Sequence, residues 1–245
     1  MSAIIELRKV GVTFNGSDAA VQALRDLTLS VHEGELLCVL GPSGCGKTTL
    51  LNLVAGFISP TAGSVLFDGS PVRAPAPDRA VVFQDASLFP WLDVAGNVEF
   101  GMRMNGGQPA QERRERRERL LTMVGLTDFA SAHPHELSGG MRQRVAIARA
   151  LALRPRVLLM DEPFGALDAQ TRERLQDELL EIWRRTGTTI LFITHNVAEA
   201  AYLGDRVIVL SRRPGTVLSD LPTDLPRPRE RLSDSMRDFE LRLLE

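Results

Sequence analysis

Short apolar runs recur along this 245-residue chain, each closed by a polar or turn residue and separated by stretches with helical spacing. Glu35–Gly41 (ELLCVLG), Ala80–Gln84 (AVVFQ), Arg156–Pro163 (RVLLMDEP), Thr188–His195 (TTILFITH) and Arg206–Ser211 (RVIVLS) all have strand-like length and branched apolar residues. Near-continuous apolar strands alternating with helices predict an α/β fold with a mainly parallel sheet covered on both faces. The N-terminus has a different pattern. Ile5–Phe14 alternates and Ser64–Gly69 ends at a turn, which predicts an antiparallel β subdomain. From about Gln84 to Leu153 helical signals dominate, so a helical subdomain is expected as an insertion.

These boundaries divide one domain into parts. Residues 1–85 and 154–216 form the expected α/β core with its β edge, and 86–153 the helical insertion. Residues 217–245 form a short tail, a Pro-rich connector followed by a helix within Arg231–Glu245. The tail is too short for an appended regulatory β domain. Within the insertion, Gln111–Leu126 interleaves Glu and Arg at helical spacing, which predicts a solvated helix face with local ion pairs rather than a basic binding stripe.

Composition narrows the function classes. A chain 44% hydrophobic and 24% charged can bury a core, and a net charge of −2 argues against a general nucleic-acid binder. Cys38 and Cys45 form neither a disulfide framework nor a metal spacing. There is no secretory-type N-terminal segment and no run of roughly 18 apolar residues, so any membrane role is expected to come through a partner.

The chemistry begins at Gly41. Gly41, Pro42, Ser43, Gly44, Cys45, Gly46, Lys47, Thr48 and Thr49 read GPSGCGKTT and fit G-x-x-x-x-G-K-[ST] between a strand and a helix. The glycines allow a tight turn whose successive N–H groups point at phosphate oxygens, with the helix N-terminus behind them. Lys47 would reach the β- and γ-phosphates, and Thr48 would offer a hydroxyl to Mg²⁺. Of 29 basic residues only Lys9 and Lys47 are lysines, so this chain keeps its compact ammonium where a planar guanidinium fits poorly. The Cys45 thiol, inside the loop, is expected to react freely without nucleotide and to be protected by it. Asp161 and Glu162 end the apolar run VLLMDEP. Adjacent carboxylates there can be a solvated strand end, but beside a phosphate loop they suit a Mg²⁺-shell aspartate and a water-polarising glutamate.

A second donor-rich opening, Leu137-Ser138-Gly139-Gly140, leads into another helix (LSGGMRQRVAIARAL). One nucleotide needs only one phosphate loop. Here the chain resembles the ATP-binding cassette (ABC) family, whose signature is this Leu-Ser-Gly-Gly turn. The ordered series GPSGCGKTT, VFQD, LSGGM, LLMDEP, GALD and ITH carries the resemblance from about Ile5 to Pro214, with Met141 where many members have glutamine. It implies a P-loop NTPase with a RecA-like core that hydrolyses ATP with Mg²⁺. Two cassettes would pair head to tail, each presenting Ser138, Gly139 and Gly140 to the partner's ATP.

The same resemblance implies that Glu162, His195 and Lys47 serve catalysis. Gln84 would contact Mg²⁺ together with Thr48 and Asp161, Asp168 would cross the dimer interface, and Phe14 would stack on adenine. Leu88–Leu92, with Phe89, Pro90 and Trp91, has two readings: packing between subdomains, or a cleft for a helix of a membrane permease. FQDASLFPWLDVAGNV, RRPGTV and LPRPR look most like importers of nitrate, sulfonate or taurine. Expected partners are a second cassette, permease subunits and, through them, a solute-binding protein, with no nucleic acid; the chain would be peripheral on the cytoplasmic face of the cell membrane. A non-transport cassette acting as an ATP-gated regulatory scaffold on a membrane protein is the alternative.

Overall fold

The computed structural model describes residues 3–15 and 20–244. In chain order its elements are β1 (Ala3–Asn15), β2 (Ala20–His32), β3 (Leu36–Leu40), α1 (Lys47–Ala55), β4 (Ala62–Phe67), β5 (Ser70–Pro71) and β6 (Arg79–Val82). Next come α2 (Val94–Asn105), α3 (Ala110–Met123), α4 (Gly139–Ala152), β7 (Val157–Asp161) and α5 (Ala169–Thr186). The last are β8 (Thr189–Thr194), α6 (Val197–Leu203), β9 (Arg206–Leu210), β10 (Val217–Pro222) and α7 (Asp234–Arg242). They fall into two compact units, one reaching to Ala76 and resuming at Thr189, the other Pro77–Thr188.

In the first unit, β3 lies between β8 and β9 and pairs with both in parallel. Every residue of β3 and β8 is buried, which explains why both read as unbroken apolar runs. The antiparallel sheet β2-β1-β4-β5 is the predicted N-terminal β subdomain. Strict alternation fails in β1: register shifts and a left-handed Lys9 (φ 49°) let Val10, Gly11 and Val12 all be buried.

The tail differs from its expected form. Val217–Pro222 is a strand, antiparallel to β9, because its alternating burial suits a sheet edge. Beyond it, Arg229 is buried and donates from Nη1 to the carbonyls of Ala201 (3.0 Å), Tyr202 (2.8 Å) and Gly204 (2.8 Å), closing the C-terminal end of α6. Burial, with Arg227 nearby, lowers the Arg229 pKa to about 10.

The second unit holds the parallel pair β6 and β7 with α2 to α5. The Glu/Arg run in α3 carries local ion pairs such as Arg114–Glu118 at 2.9 Å, but much of it faces inward. Arg113 and Arg117 both bind Glu99 of α2, at 3.2 and 3.0 Å. Arg116 donates to the Leu151 and Ala152 carbonyls at the end of α4 (2.6 and 2.8 Å). Only Leu120 and Leu121 of α3 are buried, so arginine hydrogen bonds supply docking that an apolar face supplies elsewhere.

Asn97, fully buried in α2, organises the Phe89–Asp93 segment. Its Oδ1 accepts from the Phe89 N–H (2.8 Å), and its Nδ2 donates to the carbonyls of Phe89, Leu92 and Asp93 at 3.0–3.1 Å. Asn97→Ala removes all four of these hydrogen bonds and is expected to cost about 2–3 kcal/mol of stability. Urea unfolding of the full chain measures it, and an unchanged midpoint contradicts the assignment.

Candidate functional site

The loop from Gly41 to Gly46 leaves the buried strand β3 and enters α1 directly. Gly44 (φ 77°) and Gly46 (φ 108°) hold left-handed conformations that a side chain would strain. Gly46 is the residue before the first helical turn and offers no side-chain cap to that turn's N–H groups. Lys47 is only 5% exposed and arches back over the loop, its Nζ donating to the carbonyls of Gly41 (2.7 Å) and Pro42 (3.1 Å). Pro42, Ser43 and Thr48 are exposed, and Thr49 is half-buried.

Register brings His195 to the same end of the sheet. Thr194, the last residue of β8, pairs with Leu40, the last of β3, so His195 and Gly41 leave the sheet side by side. His195 is exposed, and its neighbour Asn196 caps α6 by accepting from the Glu199 N–H (3.0 Å). Phe14, near the end of β1 opposite Val21, is 46% exposed rather than a core residue, which suits a stacking surface.

Cys45 departs from expectation. It is 1% exposed, and its Sγ lies 2.8 Å from where a Cβ on Gly41 would sit. The thiol packs under the loop instead of facing the nucleotide side, so free alkylation is not expected after all. Cys38 is fully buried in β3, where desolvation pushes its pKa well up.

In the second unit, β6 and β7 end in parallel, Val82 opposite Met160, which sends Gln84 and Asp161-Glu162 off the same edge. The Gln84 Nε2 lies 3.3 Å from where a Cβ on Gly165 would sit, in the turn that Gly165 N–H closes onto the Glu162 carbonyl (3.0 Å). Glu162 itself is left-handed (φ 44°), a conformation that costs free energy in a non-glycine residue and recurs at functional sites.

Two helix N-termini meet nearby in this unit. Ser138 caps α4, accepting at Oγ from the Met141 N–H (3.3 Å), and Asp168 caps α5, accepting from the Thr171 N–H (2.9 Å). The Thr171 N–H holds the exposed Asp168 carboxyl below the usual carboxylate range. A Cβ on Gly139 would fall 3.1 Å from Leu167, and one on Gly140 would fall 2.9 Å from Thr171. The consecutive glycines therefore have a packing cause in addition to any ligand: they let α4 approach α5 closely. A cleft of about 400 Å³ runs past Gln84, Gly139, Arg142 and Leu167.

Sequence reasoning missed two side chains of α4 that hold the Gln84 segment from behind. Gln143 Nε2 donates to the Phe83 carbonyl (3.4 Å), and Arg149 donates to the Ala86 and Ser87 carbonyls (2.9 and 2.8 Å) while lying over the Phe89 ring. Polar residues on an otherwise apolar helix face, Gln143 buried and Arg149 half-buried, were the available signal. Trp91 is 69% exposed, with Phe89 beside it and Phe100 behind, so the Leu88–Leu92 stretch packs inward and presents a surface at once.

The Thr48 hydroxyl in the first unit is a hard oxygen donor, as are the Gln84 carboxamide and Asp161 carboxylate in the second, and each is of the kind that Mg²⁺ takes. The described residues hold no cluster of three or more His, Cys, Asp or Glu suited to a metal.

Comparison with known proteins gives three independent likenesses. The ABC transporter family profile matches residues 24–165. The nitrate import ATP-binding protein NrtD of Synechocystis sp. is 49% identical over 226 residues, 92% of this chain and 85% of that one. The taurine import ATP-binding protein TauB of Yersinia pestis bv. Antiqua is 54% identical over 199 residues, 81% of this chain and 78% of that one. Among solved structures, the dimeric ATP-binding cassette MJ0796 bound to ADP and Pi superimposes with a TM-score of 0.79 at 34% identity, over 91% of this chain and all of that one.

The burial of both thiols has a direct consequence. An aromatic disulfide reagent should leave Cys38 and Cys45 of the native chain unmodified and titrate both once urea is added. Rapid reaction of one thiol in the native protein, suppressed by ATP, would restore the nucleotide-facing Cys45.

Proposed function

We propose, from the premise that this chain belongs to the ABC transporter family, that it is the ATP-hydrolysing subunit of an importer for a small anion such as nitrate, a sulfonate or taurine. Its ATPase activity follows from the family. The importer reading is carried by the relatives named for nitrate and taurine import, which are about half identical over most of their length. Peripheral attachment to the cytoplasmic face of the membrane fits the same reading. Among the described residues no helix is long and apolar enough to cross a bilayer. The exposed Trp91 beside Phe89 is the surface offered to a permease helix, and a solute-binding protein would join through that permease.

Two cassettes then pair head to tail. The observation that supports this is the second donor cluster, since the first N–H groups of α4 have no partner within their helix. Ser138 spends an Oγ lone pair on the Met141 N–H, and that contact leaves its hydroxyl proton to a ligand. With Gly139 and Gly140 this set binds the γ-phosphate held by the partner's Gly41–Thr49 loop, and Asp168 lies at the same interface.

Each side chain has a distinct task. Phe14 stacks on adenine, and the loop N–H groups with Lys47 bind the phosphates. Thr48, Asp161 and Gln84 would hold Mg²⁺, which would supply neutralisation of phosphate charge. Glu162 orients a water for in-line attack on the γ-phosphorus, and His195 hydrogen-bonds the γ-phosphate and helps place that water. The bond to the β-phosphate oxygen breaks, leaving ADP and phosphate. Gln84 passes the closing and reopening of the dimer to the Leu88–Leu92 surface.

Glu162→Gln is expected to bind ATP within about threefold of the native chain while turnover falls by roughly 100-fold or more. With ATP it should elute as a dimer from a sizing column, and without nucleotide as a monomer. Near-native turnover would remove Glu162 as the base, and a monomer with ATP would count against the paired cassette. Crosslinking in native membranes should recover a multi-span permease. Recovery of a membrane protein without a translocation path would favour a regulatory scaffold.

A further inference from the structure

The turn between β9 and β10, Arg212–Thr216, presses against the outer side of the phosphate loop. Ser211 closes this turn. Its N–H donates to the Thr216 carbonyl (2.9 Å), its Oγ–H donates to the Pro214 carbonyl (2.9 Å), and its Oγ accepts from the Thr216 N–H (2.9 Å). Gly215 then ties the turn to β2, donating to the Ala23 carbonyl (2.9 Å) and accepting from the Arg25 N–H (3.1 Å). A Cβ on Gly215 would fall 2.2 Å from the Cys45 carbonyl oxygen, so the turn's backbone lies directly on the loop. From the same tethered platform Arg213, whose side chain is exposed, donates from Nε to the Gly44 carbonyl at 3.2 Å.

We propose that Arg213 is a positioning residue for ATP, holding the Gly44–Cys45 peptide with its carbonyl outward so that the loop's N–H groups face the phosphates. The proposal rests on the phosphate-loop reading above. In a trans peptide the carbonyl and the following N–H point to opposite sides, so fixing one fixes the other. The peptide turns about Gly44, left-handed at φ 77°, and Cys45, and at the glycine hinge rotation meets little steric resistance. Rotated, it would turn a carbonyl oxygen toward the phosphates and lose an N–H from the cradle. The inner side has little to prevent this: the Cys45 N–H makes only a long contact to the Pro42 carbonyl, 3.3 Å. A guanidinium on the outer side opposes the rotation with a charge-assisted hydrogen bond and uses none of the groups that bind nucleotide.

The test compares Mg-ATP affinity, KM and kcat for the native full chain, Arg213→Ala, Arg213→Lys and Lys47→Ala, with thermal melting without nucleotide as a control. Arg213→Ala is expected to weaken ATP binding and raise KM about fivefold, the scale of one partly exposed hydrogen bond to a charged donor. Its kcat should stay within about twofold and its nucleotide-free melting point should not move, because the side chain is exposed. Arg213→Lys keeps the charge but loses the planar Nε–H, and should recover only part of the affinity. Native affinity in Arg213→Ala overturns the proposal. So does full recovery in Arg213→Lys, which would make charge alone sufficient, or a parallel fall in nucleotide-free stability, which would make the residue merely structural. Lys47→Ala separates the two levels: if it binds ATP like the native chain, the phosphate-loop reading fails, and if it does not while the Arg213 variants are silent, only the brace fails.

Discussion

The proposed chemistry depends on one helix entry: the turn after β3 leads into α1 without a side-chain cap. Buried N–H groups normally demand partners. Here the strand ends, glycine backbones turn through left-handed conformations, and the helix begins at Gly46 without a side-chain cap. A helix entry of this kind suits a polyphosphate, and the helix dipole points the same way. Lys47, held against the Gly41 and Pro42 carbonyls, puts a compact positive charge at that place.

Every other described α-helix start except that of α3, which is entered through Pro109 without a side-chain cap, follows a contrasting rule. Asp93, Asp168, Asn196 and Ser233 each accept an N–H of their own first turn, which locks the helix entry. Ser138 does the same for α4, but it is followed by two glycines that keep side chains away from the remaining donors. Close packing on Leu167 and Thr171 already requires small residues there. The glycines serve helix packing, and that role is compatible with the proposed anion binding.

Arginine does much of the work that apolar faces and lysines do elsewhere. Arg116, Arg142, Arg149, Arg172 and Arg229 all donate to backbone carbonyls at helix ends or in loops. A planar guanidinium with several donors can close several carbonyls at once, as Arg229 does at the end of α6. These contacts fix the loops to which the proposed chemistry is assigned: Arg149 and Gln143 hold the stretch around Gln84, and Arg213 reaches the Gly41–Gly46 loop.

Motif order and hydrophobic period were enough to determine the buried parallel strands, the glycine-rich turn between β3 and α1, the carboxylate pair at the end of β7 and the β-rich N-terminus. Each is written in residues adjacent along the chain: a strand needs only its own apolar run, and a phosphate cradle needs only its own glycines and lysine. Tertiary structure decided what depends on residues far apart in sequence. Whether Cys45 faces nucleotide or core turned on its packing beneath Gly41, and whether the charge run of α3 is solvated turned on Glu99 and the end of α4. The strand Val217–Pro222 exists because β9 offers an edge to pair with. Arg213 reads as an ordinary turn arginine until folding sets it against Gly44, 169 residues away, because the side chain's chemistry is local and its partner is not.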